Sequence, residues 1–201
     1  PSPTPVQYQL ADYLQNGPDR RIIMAYRGCG KSFLTAGYVL WRLRRDPDTK
    51  VLVISAAQDR ADAFSVFCHD LLRNWFMVKD LFPSDTQRFS KVAFDVYGAK
   101  PDQSPSVRSS GIFGQITGSR ADLIVADDVE TPQSCETQLI RDKLRESIKE
   151  FDSVIKPGGE IVFLGTPHTQ DSIYAKLELA GYSCRIWPAL YPTAKKLKNY
   201  Y

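Results

Sequence analysis

The sequence predicts an α/β domain: a central, mostly parallel sheet with helices on both faces. Three observations predict it. Short apolar runs recur at residues 22–25, 50–55, 123–126 and 160–164. Stretches with apolar residues at helical spacing separate them, so strands and helices alternate. Two of the runs end in residues suited to phosphate and metal chemistry, at the strand ends where open parallel sheets bind ligands. With 201 residues, 43% of them hydrophobic and 24% charged, the chain is long enough for one well-buried domain.

Composition narrows the function classes. No stretch reaches the length of a membrane span, and the N-terminal Pro-Ser-Pro-Thr-Pro lacks the basic and apolar regions of a secretory signal. Cys29, Cys68, Cys135 and Cys184 are scattered without a C-x-x-C pair. That argues against a zinc site or a disulfide scaffold and fits a reducing cytosol. A net charge of +3 permits contact with nucleic acid without demanding it. The densest basic cluster, Lys195-Lys196-Leu197-Lys198, reads as a solvated tail or linker start rather than a DNA patch.

Taken in order, residues 1–6 form an arm and Gln7 to Asn16 a short amphipathic helix with Tyr8, Leu10, Ala11 and Leu14 towards one face. Gly17-Pro18 ends it. A glutamine this far ahead of the first strand can offer its amide to an adenine edge. Gln7 is the candidate and Gln9 the reserve, against a plain solvated helix residue. The first apolar run, Ile22 to Ala25, then enters the loop Ala25-Tyr26-Arg27-Gly28-Cys29-Gly30-Lys31-Ser32. Strand, small-residue loop and helix start are the context of a phosphate-binding P-loop. Its glycines let successive N–H groups curl into a nest for phosphate oxygens, and the helix dipole adds positive potential. Lys31 would reach the β- and γ-phosphates and the Ser32 hydroxyl would ligate Mg²⁺. Ala25 stands where the pattern has its first glycine. Arg27 is open between the γ-phosphate, a neighbouring subunit and a solvated position. Cys29 is either reactive by position or a small residue filling a turn.

A helix over 31–44 follows, then a buried strand over 50–55. The next helix, 58–74, carries Phe64, Phe67, Leu71 and Leu72 as a core stripe. Residues 83–111 read as loop-rich, with a short strand at 92–96; within them 100–110 reads as a surface loop, a plain connection ahead of a DNA contact. A strand is expected at 112–116. The run Leu123-Ile124-Val125-Ala126 delivers Asp127-Asp128 at its C-terminal end. Asp127 would hold Mg²⁺, which prefers hard oxygen ligands. Asp128, or Glu130 two residues on, would orient and deprotonate the attacking water. A helix over 135–154 buries Leu139, Leu144, Ile148 and Phe151, and Lys156 to Gly159 turns the chain. Strand 160–164 runs into Gly165-Thr166-Pro167-His168, placing Thr166 where it can sense the γ-phosphate or cap the next helix. His168 reads as structural rather than as a base. A helix over 170–180 and a strand over 182–187 complete the pattern. The extra strand between P-loop and acid-bearing strand suits a RecA-like, additional-strand (ASCE) P-loop fold.

These motifs together resemble the ATPase domain of the large terminase subunit, the DNA-packaging motor of tailed double-stranded DNA phages, most of all the podophage kind. Residues 25–32, 118–130, 143–159 and 164–168 carry the likeness, with the Gln7 region and 55–67. The resemblance implies ATP and Mg²⁺ as cofactors, and ATP hydrolysis that drives duplex DNA into a procapsid. It implies double-stranded DNA, the portal ring and the small terminase subunit as partners, in the host cytoplasm rather than in the mature virion, with no membrane. It implies a homo-oligomeric ring when active, with a monomer open for the isolated domain. It assigns Lys31 and Ser32 to phosphate and Mg²⁺, Arg27 to the loop arginine, Asp127 to Mg²⁺, and Gly165-Thr166-Pro167 to coupling. The family's Asp-Glu is Asp127-Asp128 here, which leaves the catalytic carboxylate open between Asp128 and Glu130. Arg120 is the candidate finger towards a neighbouring subunit, against an ion pair with Asp122. The expected organisation is an arm and adenine-side helix over 1–20, the ATPase domain over 21–190 and a basic tail over 191–201, with the family's nuclease domain absent. The rival readings are a helicase fragment, a small-molecule kinase and a non-catalytic nucleotide-binding module. A helicase needs a second lobe, a kinase an arginine-rich lid, and a binding module has no need of Asp128 or Glu130.

Overall fold

The computed structural model describes residues 2–132, 137–165 and 172–189. Helix α1 (Pro5–Asn16) starts two residues before the expected Gln7 because Thr4 caps it. The Thr4 hydroxyl accepts from the Gln7 N–H and the Gln7 side chain accepts from the Thr4 N–H, with Pro5 in the first turn, where its missing N–H costs nothing. Next come β1 (Arg20–Ala25), α2 (Lys31–Arg45), β2 (Val51–Ser55) and α3 (Gln58–Asn74). A single 3-10 turn (Lys79–Leu81) precedes β3 (Ala93–Phe94), β4 (Val107–Gly111) and β5 (Ala121–Asp127). The chain continues through α4 (Gln138–Lys149), α5 (Phe151–Val154), β6 (Ile155–Gly165), α6 (Ile173–Leu179) and β7 (Ser183–Trp187).

The seven strands form one sheet in the order β3-β4-β2-β5-β6-β1-β7. Every pairing is parallel except the short β3–β4 contact. β6 therefore lies between the strand that opens the P-loop and the strand that carries the acids. Period-2 alternation divides β5 between two cores. Leu123 and Val125 pack with Leu10 and Leu14 of α1, Leu40 of α2 and Leu72 of α3. Ile124 and Ala126 pack with Leu144 of α4, Phe151 of α5 and Tyr174 of α6. Each such large side chain contributes roughly 1.5–3 kcal/mol on burial. α1 thus belongs to the same core as the sheet.

At the N-terminal edge of the sheet, a buried ion network joins β1, α2 and β6. Arg21, fully buried, donates to Glu160 at 2.6 Å and to the Leu14 carbonyl at 2.6 Å. Arg42 and the Tyr38 hydroxyl also engage Glu160. Both Nη atoms of Arg21 and both Glu160 oxygens are engaged, the kind of pairing under which a buried ion pair is tolerated, while the Arg21 Nε has no partner among the described residues.

Several expectations are corrected. The stretch expected as a surface loop contains β4, a buried strand parallel to β2, and the strand expected at 112–116 is a turn instead. Ile112 and Ile116 are both buried, but from the turn that follows β4. The strand at 92–96 shrinks to Ala93–Phe94. Lys156 to Gly159 is an irregularity inside β6, where Ala121 pairs with Ile155 but Leu123 with Glu160. Leu139 is 79% exposed, because five residues of helix turn it well away from Leu144. Tyr8 and Ala11 are exposed as well, and Leu10, Tyr13 and Leu14 form the buried face of α1. The three described cysteines, Cys29, Cys68 and Cys184, are buried free thiols; Cys135 lies outside the described residues.

Candidate nucleotide site

The site begins where β1 leaves the sheet. The Tyr26 N–H donates to the Trp187 carbonyl at 3.1 Å, a last tie to β7 before the loop. Gly28 (φ +86°) and Gly30 (φ +89°) then take left-handed conformations that side chains resist. Ala25 is not among the positive-φ residues, so alanine serves where the usual pattern has glycine. Gly30 is the N-cap of α2 and supplies no side-chain cap, which leaves the first-turn N–H groups to an outside acceptor. The Lys31 ammonium donates to the carbonyls of Ala25 at 3.1 Å and Gly165 at 3.5 Å, folding back over its own loop and the end of β6.

β5 brings the acids to the same edge. The Ser55 hydroxyl donates to the Asp127 carbonyl at 2.8 Å and the Asp128 N–H to the Leu164 carbonyl at 2.8 Å. Asp128 has φ +44° and is the one described non-glycine residue in the left-handed region. Burial, and then the neighbouring Asp128 charge, push the Asp127 carboxyl up to about 6 against the pull of Lys31 and Arg60. A desolvated carboxylate next to a second one favours a hard cation, and the exposed Ser32 hydroxyl adds another oxygen donor, so the donor set fits Mg²⁺. Glu130 is 2% exposed and its Oε2 accepts from the Ile173 N–H at 2.6 Å, at the start of α6.

Tyr26, Arg27, Gly28, Cys29, Gly30, Lys31, Ser32, Asp128 and Glu130 all border one cavity of about 550 Å³. Ala25 and Asp127 are not among its lining residues; the Ala25 carbonyl accepts from Lys31 and Asp127 directly precedes Asp128 in the chain. Gln7 touches the loop from outside. Its amide N–H donates to the Cys29 carbonyl at 3.2 Å while its oxygen serves the cap of α1, so the side chain latches α1 to the loop. Arg120 is not part of this cavity. It is exposed at the N-terminal end of β5, on the opposite edge of the sheet, where it borders a small cavity with Lys50 and Arg108. Asp122 takes Lys156 as its ion-pair partner, not Arg120. Thr166, Pro167, His168 and the basic tail lie outside the described residues.

Arg60, Phe33, Thr131 and Pro132 border the main cavity too and were not anticipated. The signal for Arg60 was available: it follows the C-terminal end of β2, the same sheet edge that receives the ends of β1, β5 and β6.

No family model matches the chain. It is 46% identical over 205 residues to the large terminase subunit of Enterobacteria phage T3, covering 100% of this chain and 35% of that protein. The chain thus spans about a third of the length of the curated relative it matches. The large terminase ATPase domain of Thermus phage P74-26 superposes with a TM-score of 0.57 at 16% identity, covering 85% of this chain and 67% of that one. The large terminase of bacteriophage HK97 gives 0.60 at 14% identity, covering 95% and 40%. A DEAD-box helicase bound to single-stranded RNA gives 0.63 at 15% identity, covering 95% and 41%. At these identities the solved structures share the fold, and that fold is RecA-like.

Proposed function

We propose, from the premise that this chain is homologous along its whole length to part of a phage large terminase subunit, that it is the ATP-hydrolysing motor domain of a DNA-packaging enzyme. One observation carries the reading: the N-terminus of α2, Lys31, Asp128 and Glu130 border a single cavity at the C-terminal edge of the sheet. β1 and β5 are separated by β6 alone, so the loop and the acids stand about 10 Å apart. That span suits a phosphate chain on one side and an attacking water on the other.

In this reading the nest around Gly28 and Gly30 and the first turn of α2 bind the phosphates, and Lys31 leaves its carbonyls for the β- and γ-oxygens. Mg²⁺, when bound, neutralises charge developing on those oxygens; Ser32 and Asp127 would hold it. Asp128, at the cavity wall, orients the water and accepts its proton. Glu130 anchors α6, which leaves Asp128 as the base. Arg27 borders the cavity as a second cation of the loop, Gln7 steadies the adenine side, and Thr166 couples the cycle to movement. Arg120, on the far edge, completes the site of a neighbouring subunit in a ring. Duplex DNA, the portal ring and the small terminase subunit are the partners this places around it, in the host cytoplasm. No described helix is long and apolar enough to cross a membrane.

The test is phosphate release from ATP at several protein concentrations, with and without duplex DNA. Lys31→Ala should lower the rate about 100-fold or more. A rate equal to that of Lys31→Ala under every condition, with no nucleotide bound, would remove the enzyme reading.

A further inference from the structure

Arg60 has no place in the assignments above, yet its position gives it one. It stands in the first turn of α3, just past the end of β2 at Ser55. In the β2–β5 ladder Ser55 is the register partner of Asp127, so the start of α3 is next to the acids. The guanidinium is exposed and makes no side-chain hydrogen bond or ion pair among the described residues.

Arg60, with Thr131, borders two cavities. One is the nucleotide cavity; the other, about 360 Å³, is floored by Ala56, Ala57, Ile112 and Val129. Lys143 borders that second cavity as well, but its ammonium sits over the Phe113 ring at 4.8 Å and is already engaged. Among the described residues that border the two cavities, Arg60 is a cation on the side away from the P-loop with no side-chain hydrogen bond or ion pair. Lys31 approaches from the β1 side and Arg60 from the β2 side, across the acids.

We propose that Arg60 contacts the terminal phosphate of bound nucleoside triphosphate and makes the site prefer triphosphate over diphosphate. This rests on the ATP-binding reading and deepens it. The nest and α2 hold the inner phosphates, which a diphosphate also has. The last phosphate projects away from them, towards the acids, where negative charge needs a fixed partner. A guanidinium is always charged and presents planar paired donors that match a phosphoryl group. It also supplies those donors from within the chain, independent of any neighbour.

The experiment compares dissociation constants of ATP and ADP, both with Mg²⁺, for the unsubstituted chain, Arg60→Ala, Arg60→Lys and Lys143→Ala. Arg60→Ala should weaken ATP about 10-fold or more and leave ADP within about twofold. Arg60→Lys should recover part of the ATP affinity, since charge returns without the fork. Lys143→Ala, the same charge loss in the adjoining cavity, should change neither. Equal weakening of ATP and ADP, an equal effect of Lys143→Ala, or unchanged ATP affinity in Arg60→Ala would overturn the assignment. An unsubstituted chain that binds neither nucleotide would fail at the premise and take both proposals with it.

Discussion

Asp128 occupies a backbone conformation that L-residues avoid, at a cost of about 1–2 kcal/mol relative to right-handed geometry, softened for aspartate by its short polar side chain. Its N–H is fixed to Leu164, so the strain is held by the end of β6 and the carboxylate is delivered to the cavity. Glu130 has the opposite character: it is buried and its oxygen is committed to the start of α6. The two acids should therefore separate in mutagenesis. Asp128→Asn should abolish hydrolysis while ATP still binds and stability changes by less than about 0.5 kcal/mol. Glu130→Gln should lower stability by about 1.5–3 kcal/mol in denaturant titration, because a charge-assisted bond to Ile173 is weakened. An Asp128→Asn variant that still hydrolyses ATP, with a fully stable Glu130→Gln that does not, would reverse the roles.

Among the elements, β4 shows what the sequence hides. Its residues Val107 to Gly111 include two serines, so it lacks the apolar signature of a buried strand. The serines are satisfied internally instead. The Ser109 hydroxyl donates to Asp62 of α3 at 2.6 Å, and Gln58 joins Asp62 to the Gly111 N–H. A Cβ on Gly111 would stand 3.1 Å from the Gln58 nitrogen, so α3 can settle this close only over small residues. Ser109→Val should cost about 1–3 kcal/mol by thermal or chemical denaturation, through a lost donor to a buried carboxylate and a larger side chain. The elements with strong apolar periodicity, β1, β2, β5 and α2, were legible within a residue or two, and α3 to the residue. So was the P-loop, whose chemistry is local in sequence. What was not legible depended on contacts distant in sequence: β4 under α3 and the commitment of Glu130 to Ile173. Gln7 stood out by its position as a candidate for the adenine, whereas its bond to Cys29, which latches α1 to the loop, is a tertiary contact.

For the whole molecule, the sheet edge away from the cavity carries two separate demands. At the base, burial raises the Glu160 carboxyl, but the Arg21 hydrogen bond and the Arg21 and Arg42 charges outweigh it and hold it below the usual carboxylate range. Unfolded, the group titrates near its ordinary value of about 4.3. As pH falls, the unfolded chain takes the proton first, so this contribution is complete above that value and is lost as pH drops through the folded pKa. Denaturation midpoints should fall between about pH 5 and pH 3, and Glu160→Gln should flatten that fall while lowering stability at neutral pH. Arg120 makes the second demand, since it lies on the edge away from its own cavity. In a head-to-tail ring, mixing Lys31→Ala with Arg120→Ala should restore roughly a quarter of the activity through sites that draw one intact residue from each chain. A mixture no more active than its parts would show that Arg120 does not act across subunits.

The strand order sets a timetable for synthesis. Among the described residues β1 pairs with β6 and β7 alone, which lie more than a hundred residues further along. As a nascent chain leaves the ribosome, β2, β4 and β5 can close on one another early, because their pairings are comparatively local. β1 waits as an apolar strand with two bare edges, the kind of surface that chaperones cover. On the proposed function, affinity for nucleotide is therefore among the last properties the chain acquires, and nucleotide would not help to fold it until translation has passed β7.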